Sequence, residues 1–201
     1  MTTDVKKSRG RPRVFDQDEA LDKAMQIFWN RGYEGASIAE LTETLGINKP
    51  SLYSAFGNKE ELFKKALSRY AAGPVSFVRD AVNEPTARKV AESFLFNAAE
   101  FLTKPTQPKG CMIVQGALSS GESADLVKEI LIKYRNNYEN LLTARFEKAK
   151  TDGDLPENAV AIDLAKYLAT LHQGMSVQAT SGATKEELIK IAHIALSVWP
   201  K

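Results

Sequence analysis

The sequence predicts an all-α protein: an N-terminal three-helix helix-turn-helix unit, then a larger C-terminal helical unit. Three observations predict it. Beyond the first residues, apolar side chains recur at three- and four-residue spacing, with no strand-like alternation. Residues 37–56, Ser-Ile-Ala-Glu-Leu-Thr-Glu-Thr-Leu-Gly-Ile-Asn-Lys-Pro-Ser-Leu-Tyr-Ser-Ala-Phe, read as two short helices with their own start and stop signals. Basic charge gathers at the amino end: Lys6, Lys7, Arg9, Arg11 and Arg13 against Asp4 give residues 1–13 a charge of +4, although the whole chain carries +2.

A chain of 201 residues holds one or two small domains and a sizeable core. There is no signal-peptide pattern and no apolar run long enough to cross a bilayer, so a cytoplasmic location is expected. A single cysteine excludes an internal disulfide and fits a reducing compartment.

Residues 1–13 carry no apolar period and are expected to form a disordered basic arm. Within it, Arg9-Gly10-Arg11-Pro12 resembles the core of an AT-hook, an extended segment that lays arginines into a narrow minor groove. Arg9, Arg11 and Arg13 are therefore candidate DNA contacts. The plainer alternative is a solubilising tail, and the helix-turn-helix that follows favours DNA.

The next unit is expected over 14–73. Asp16 with Glu19 caps a first helix that runs to about Arg31 on Leu21, Ala24, Met25 and Phe28, with Ala20 and Ile27 widening the stripe. Gly32 ends it, and Tyr33-Glu-Gly35 connects to Ser37. Ser37 and Glu40 form a capping-box pattern for the second helix, whose stripe is Ile38, Leu41 and Leu45. Gly46 stops it as a residue free to take positive φ. Asn48 then caps a third helix, with Pro50 tolerated in the first turn. At about 100° per residue, placing Leu52 at the core brings Phe56 to the same side. Pro50 and Ser54 then face outward, Ser51 and Tyr53 flank them, and Lys49 sits at the open end. That outer face is small and polar, and it offers donors to bases and phosphates; Ser37, Lys49, Pro50, Ser51, Tyr53 and Ser54 are the candidate contacts. Taken without its neighbours, the same pattern also fits an ordinary helical hairpin. Beyond Gly57, Asn58-Lys59-Glu60-Glu61 caps a fourth helix on Leu62, Phe63, Ala66, Leu67 and Tyr70. Lys59 at its start is placed either to reach a phosphate or to be solvated.

Phe15 through Tyr70 resembles the DNA-binding domain of the TetR family of bacterial transcriptional regulators. The matching pieces are Phe28-Trp-Asn-Arg-Gly-Tyr33, Ser37-Ile-Ala-Glu-Leu, Gly46-Ile-Asn-Lys-Pro-Ser-Leu-Tyr53 and Phe56-Gly-Asn-Lys-Glu-Glu-Leu-Phe63. The resemblance implies that the third helix lies in the major groove, that Tyr53 contacts the DNA backbone, and that Lys59 binds phosphate. The Arg-Gly-Arg-Pro arm occurs in only some members of that family.

Gly73-Pro74 marks the expected boundary with a second unit over 74–201. Thr86 to Leu102 carries Ala87, Val90, Ala91, Phe94, Leu95, Ala98 and Leu102 on one side, and 104–110 is a loop. Cys111 to Leu118 is a short apolar helix closed by Ser119-Ser-Gly121. Ser123 is a candidate cap for a long helix to about Lys150, and 152–156 is a turn. The last helices, about 158–180 and 184–198, are apolar on more than one face and call for a second surface. Self-association into a four-helix bundle supplies it, with Leu164, Leu168, Leu188, Ile191 and Ala195 as candidate dimer contacts. The family resemblance implies the same homodimer.

No Gly-rich phosphate loop, Gly-x-Ser-x-Gly or His-Glu-x-x-His pattern is present, so no enzyme, resident metal or cofactor is expected. His172 and His193 are the only histidines, and His193 reads as a packing or interface residue. Phe94, Phe101, Cys111, Met112, Gln115, Tyr134, Tyr138, His172 and Met175 lie on helices that the family arranges around an effector cavity. Each of these alone is also ordinary core. Cys111 at a helix start is expected to have a lowered pKa, which would suit covalent sensing as in some redox-sensing members. Gly110-Cys-Met112 is similar to a branch that includes a copper-responsive repressor, and Cys111 with Met112, Met175 or His172 would make soft Cu(I) ligands. The plain alternative is a packing thiol. The expected function is a homodimeric regulator, a repressor released from a palindromic DNA operator by a small-molecule or redox inducer. The alternative is a DNA-bound adaptor controlled by a protein partner.

Overall fold

The computed structural model describes residues 16–118 and 125–200, and every regular element among them is helical. The basic arm with Arg9, Arg11 and Arg13, the Ser119–Gly121 stop and the Ser123 cap lie outside the described residues. In chain order the helices are α1 (Gln17–Gly35), α2 (Ile38–Leu45), α3 (Lys49–Phe56), α4 (Lys59–Ala72), α5 (Phe77–Ala81), α6 (Ala87–Thr103), α7 (Met112–Leu118), α8 (Asp125–Thr151), α9 (Ala161–Thr180) and α10 (Lys185–Ser197). No helix among them is long and apolar enough to cross a membrane.

Local side chains set the starts of the first four helices. The Asp16 carboxylate accepts from the Asp18 and Glu19 amides at 2.9 and 3.2 Å, and Ser37 Oγ accepts from Glu40 N–H at 3.0 Å. Asn48 and Asn58 do the same for Ser51 and Glu61 at 2.9 and 2.8 Å. Each such cap contributes about 1 kcal/mol by satisfying an amide that the helix leaves open. The box expected at Ser37 closes only halfway, because the Glu40 carboxylate meets Arg31 Nε at 3.4 Å instead. A complete box forms at α10, where Thr184 N–H donates to Glu187 at 2.8 Å and Glu187 N–H donates back to Thr184 Oγ1 at 3.3 Å.

α1 breaks at Gly32 as expected, with φ 69°, but the chain then makes a further helical turn through Gly35 where a plain connector was predicted. α5 was not predicted: five residues are too short to show a period.

α1 packs against α4 and α7, and α2 and α3 complete that corner of the core. Phe28 meets Phe63 edge-on at 5.0 Å, with Leu41, Leu52 and Leu62 fully buried around them. Arg69 reaches from α4 to Asp18 and Asp22 on α1 at 2.9 and 2.8 Å. These largely exposed pairs fix the approach of the two helices more than they stabilise it. Elsewhere α6 is central, touching α5, α8, α9 and α10, while α8 lies along α7 and α9.

The terminal pair requires a correction. Leu168, Leu188 and Ala195 are buried inside the subunit and cannot form an exposed dimer face, while Leu164 and Ile191 are half-buried. The outward stripe runs instead through Thr170, Gly174 and Val177 on α9, with Ile194 and Val198 at the end of the chain. A helix apolar on two sides gives no sign, by spacing alone, of which side faces inward.

Candidate nucleic-acid interface and interior cavity

α2 and α3 are set at an angle by a single left-handed residue. Gly46 takes φ 68° and ψ 29°, which lets its own N–H reach Glu43 O and the Ile47 N–H reach Thr42 O, both at 3.1 Å. This closes the last turn of α2 with satisfied carbonyls and redirects the chain within three residues. α3 then takes the phase read from the sequence. Leu52 and Phe56 are buried, while Lys49, Pro50, Ser51, Tyr53 and Ser54 are exposed on the other side, as is Ser37.

That outward face of α3 carries an ammonium, three hydroxyls and no carboxylate. Lys49 Nζ stands 5.8 Å from the centre of the Tyr53 ring, so positive charge and phenol share one edge of the helix. Lys59, at the first position of α4, lies 4.6 Å over the Tyr33 ring. Burial lowers its pKa, against the opposing pull of Glu34. The ring therefore holds this lysine in place, which neither of the two readings from the sequence foresaw. Donors on small side chains around a convex helix suit the floor and phosphate walls of a duplex groove.

Behind this head, the start of α7 is fastened to α1 and α4 on one side and to α9 on the other. Trp29 Nε1–H of α1 donates to Gly110 O at 3.2 Å, and the Tyr70 hydroxyl of α4 accepts from Met112 N–H at 3.1 Å and contacts Cys111 Sγ at 3.4 Å. On the far side, Cys111 N–H donates to Ser176 Oγ of α9 at 2.9 Å. Gly110 has φ 78°, and a Cβ there would stand 2.7 Å from the Thr180 methyl, so only glycine fits this crossing. Rings continue the connection inward: Trp29 stacks on Phe101 at 5.6 Å, Phe101 meets Phe77 at 5.5 Å, Phe77 meets Phe94 at 5.9 Å, and Phe94 meets His172 at 5.8 Å. By spacing alone Tyr70 is plain core, and Trp29, Phe77 and Ser176 carry no such role. The hydrogen-bond partners of Trp29, Tyr70 and Ser176 are 40 or more residues away, and Phe77 meets rings on another helix, all beyond any local pattern.

At the end of this ring series lies a cavity bounded by α5 to α9, with space of about 20 Å³ and a cleft of about 380 Å³ when its open mouth is included. Of the candidate effector contacts, Phe94, Cys111, Tyr138 and His172 line it; Val78, Arg135 and Gln173 also line it and were not among those candidates. Phe101, Met112, Gln115, Tyr134 and Met175 do not line it. Phe101 turns to Trp29 and Tyr70, Gln115 reaches Thr180 at 3.3 Å, and Met112 and Met175 are core. Helical phase places a residue on a face but cannot say which of two neighbouring spaces that face looks into.

Cys111 also departs from expectation. It is fully buried, and desolvation pushes its thiol pKa up despite the Tyr70 hydroxyl and two amides that pull it down. Burial therefore outweighs the end of a seven-residue helix, and the thiolate needed for attack or soft-metal binding is disfavoured. Among the described residues, no group of three or more His, Cys, Asp or Glu side chains is placed to hold a metal. His172 is neutral, its pKa lowered by burial to about 4, and its Nε2 has no hydrogen-bond partner. Tyr138 is pushed well up by burial, and its hydroxyl likewise has no partner. His193, by contrast, is exposed beside the Phe96 ring at 5.2 Å.

Residues 20–66 match the family model for bacterial regulatory proteins of the tetR family. The chain is 37% identical to the HTH-type transcriptional repressor ComR of Escherichia coli over 98% of its own length and 95% of that protein. It is 30% identical to the repressor BdcR of the same organism, covering 92% and 90% of the two chains. A solved structure of the TetR family regulator CifR, a cysteine mutant complexed with 26-base-pair operator DNA, superposes with a TM-score of 0.90 at 39% identity, covering 95% of this chain and all of that one. The chain belongs to the TetR family and is a sequence-specific DNA-binding transcriptional regulator.

Proposed function

We propose that the protein is a homodimeric repressor that seats α3 of each subunit in successive major grooves of a palindromic operator and is released when a small molecule enters the α5–α9 cavity. The observation that carries this reading is the outward face of α3: five exposed, carboxylate-free residues on a helix anchored by Leu52 and Phe56. The operator-bound CifR structure supports it through a fold of the same shape over nearly the whole chain. In this reading residues 14–73 form the DNA-reading unit, 74–201 the regulatory and dimerising unit, and 1–13 a minor-groove arm carrying Arg9, Arg11 and Arg13. Ser37, Lys49, Pro50, Ser51, Tyr53, Ser54 and Lys59 contact the duplex.

Two subunits join through α9 and α10. The exposed Val177, Ile194 and Val198, together with the open space beside Gly174, leave an apolar face for a second copy. The half-sites then lie about one helical turn or slightly more apart. The junction at Gly110–Met112 links cavity and reading head, so a ligand that prefers one spacing of the heads shifts the population toward it. A built interior cavity favours control by a small molecule over control by a protein partner. The protein acts in the cytoplasm and has no catalytic role, in line with its relatives, which are named as regulators.

Selection of bound sequences from random DNA tests this directly. A palindromic consensus bound by two subunits is the expected result; binding without sequence preference, or by single subunits, overturns the reading. Replacing Arg9 and Arg11 by Ala is expected to lower affinity and flatten its salt dependence.

A further inference from the structure

Resting on the effector reading above, we infer that the cavity takes a compact, uncharged molecule with one oxygen-bearing end, hydrogen-bonded by Tyr138 Oη and His172 Nε2 and enclosed by Phe94, Val114 and Leu142. Both polar atoms are buried without a partner, and both residues line the same cavity. Buried polar groups in folded proteins are almost always paired, so two such groups at one cavity mark a place where a partner belongs. A phenol hydroxyl and a neutral imidazole nitrogen can each donate or accept. They therefore suit an alcohol, an aldehyde or a ketone equally well.

Charge selects against ions. His172 stays neutral above about pH 4, and burial keeps Tyr138 and Cys111 protonated. Among the described residues no Asp or Glu lines the cavity, so a buried ammonium finds no counter-charge. Arg135 is the one charged liner among them and is only half-buried, which leaves a carboxylate paired near solvent while the inner wall stays apolar. The resting space holds roughly one water, so a larger guest enters only as the side chains around it move apart.

Calorimetric titration of the full chain with cyclopentanol, cyclopentanecarboxylate and cyclopentylammonium tests the class, because the three share a body and differ in charge. The alcohol is expected to bind at least tenfold more tightly than either ion. Tyr138→Phe and His172→Leu, each first shown to keep its melting temperature, are expected to weaken alcohol binding about three- to tenfold. Two results overturn the inference: an ion that binds more tightly than the alcohol, or alcohol binding that neither variant weakens. Operator release, followed by fluorescence anisotropy with a low-molecular-weight cell extract, separates the two levels. Release by the extract when none of the three probes binds overturns the ligand class alone. Absence of both overturns the class and the effector reading together.

Discussion

The reading head and the interior cavity are built on opposite plans. The two helices at the front of the head are drawn from 20 consecutive residues, their starts are capped by their own neighbours, and their outer side chains point into solvent. The cavity is assembled from five helices with liners spread between Val78 and Gln173, and it leaves two buried polar atoms without partners. The head is complete before anything binds. The cavity is not, and an unpaired buried group costs stability until a partner arrives. On the proposed reading, a surface that meets rigid DNA gains from being finished in advance, whereas an effector site keeps something to gain from its ligand.

Substitutions sharpen this contrast. The largest effect is expected at the inner side of α3, where Leu52→Ala removes a fully buried anchor and should cost about 2–5 kcal/mol in denaturant titration. Next comes pH. His172 has a folded pKa of about 4 against an ordinary value of 6.5, so the unfolded chain binds the extra proton between those values. Its contribution is fully present above pH 6.5 and is lost as pH falls toward 4, on the order of 3 kcal/mol. His172→Gln should flatten that part of the stability profile while leaving the profile above pH 7 unchanged in slope. Gly110→Ala forces a side chain into a left-handed position and against Thr180, at about 1–3 kcal/mol, and should also change operator affinity by disturbing the junction. Asn48→Ala removes one cap for about 1 kcal/mol. Tyr53→Phe should leave the melting temperature within error yet weaken operator binding in an anisotropy titration. If it binds at full strength, its hydroxyl has no part in DNA contact.

The sequence made the head legible for the same reason that the head is robust. Ser37, Gly46, Asn48 and Asn58 act on amides or carbonyls a few residues away, so their meaning travels with the local string. The burial of Leu52 and Phe56 against the exposure of Ser54 follows from 3.6 residues per turn once one core position is chosen. The cavity resisted because helical phase does not rank two apolar neighbours. Phe101 and Phe94 lie on one helix, yet the first closes on Trp29 and the second on His172. Leu168, Leu188 and Ala195 misled in the same way at the far end, since α9 and α10 are apolar both inward and outward. Cys111 was misjudged on electrostatics: its place at a helix start was visible, but the depth of burial that reverses the sign was not.

The chain's two tryptophans sit in different surroundings. Trp29 is wedged at the crossing beside Gly110, and Trp199 rests on Phe146 with its indole N–H unpartnered. The protein thus contains an intrinsic optical gauge. Light emitted by Trp29 should shift whenever the crossing loosens, so an induced change could be followed in real time without any attached dye.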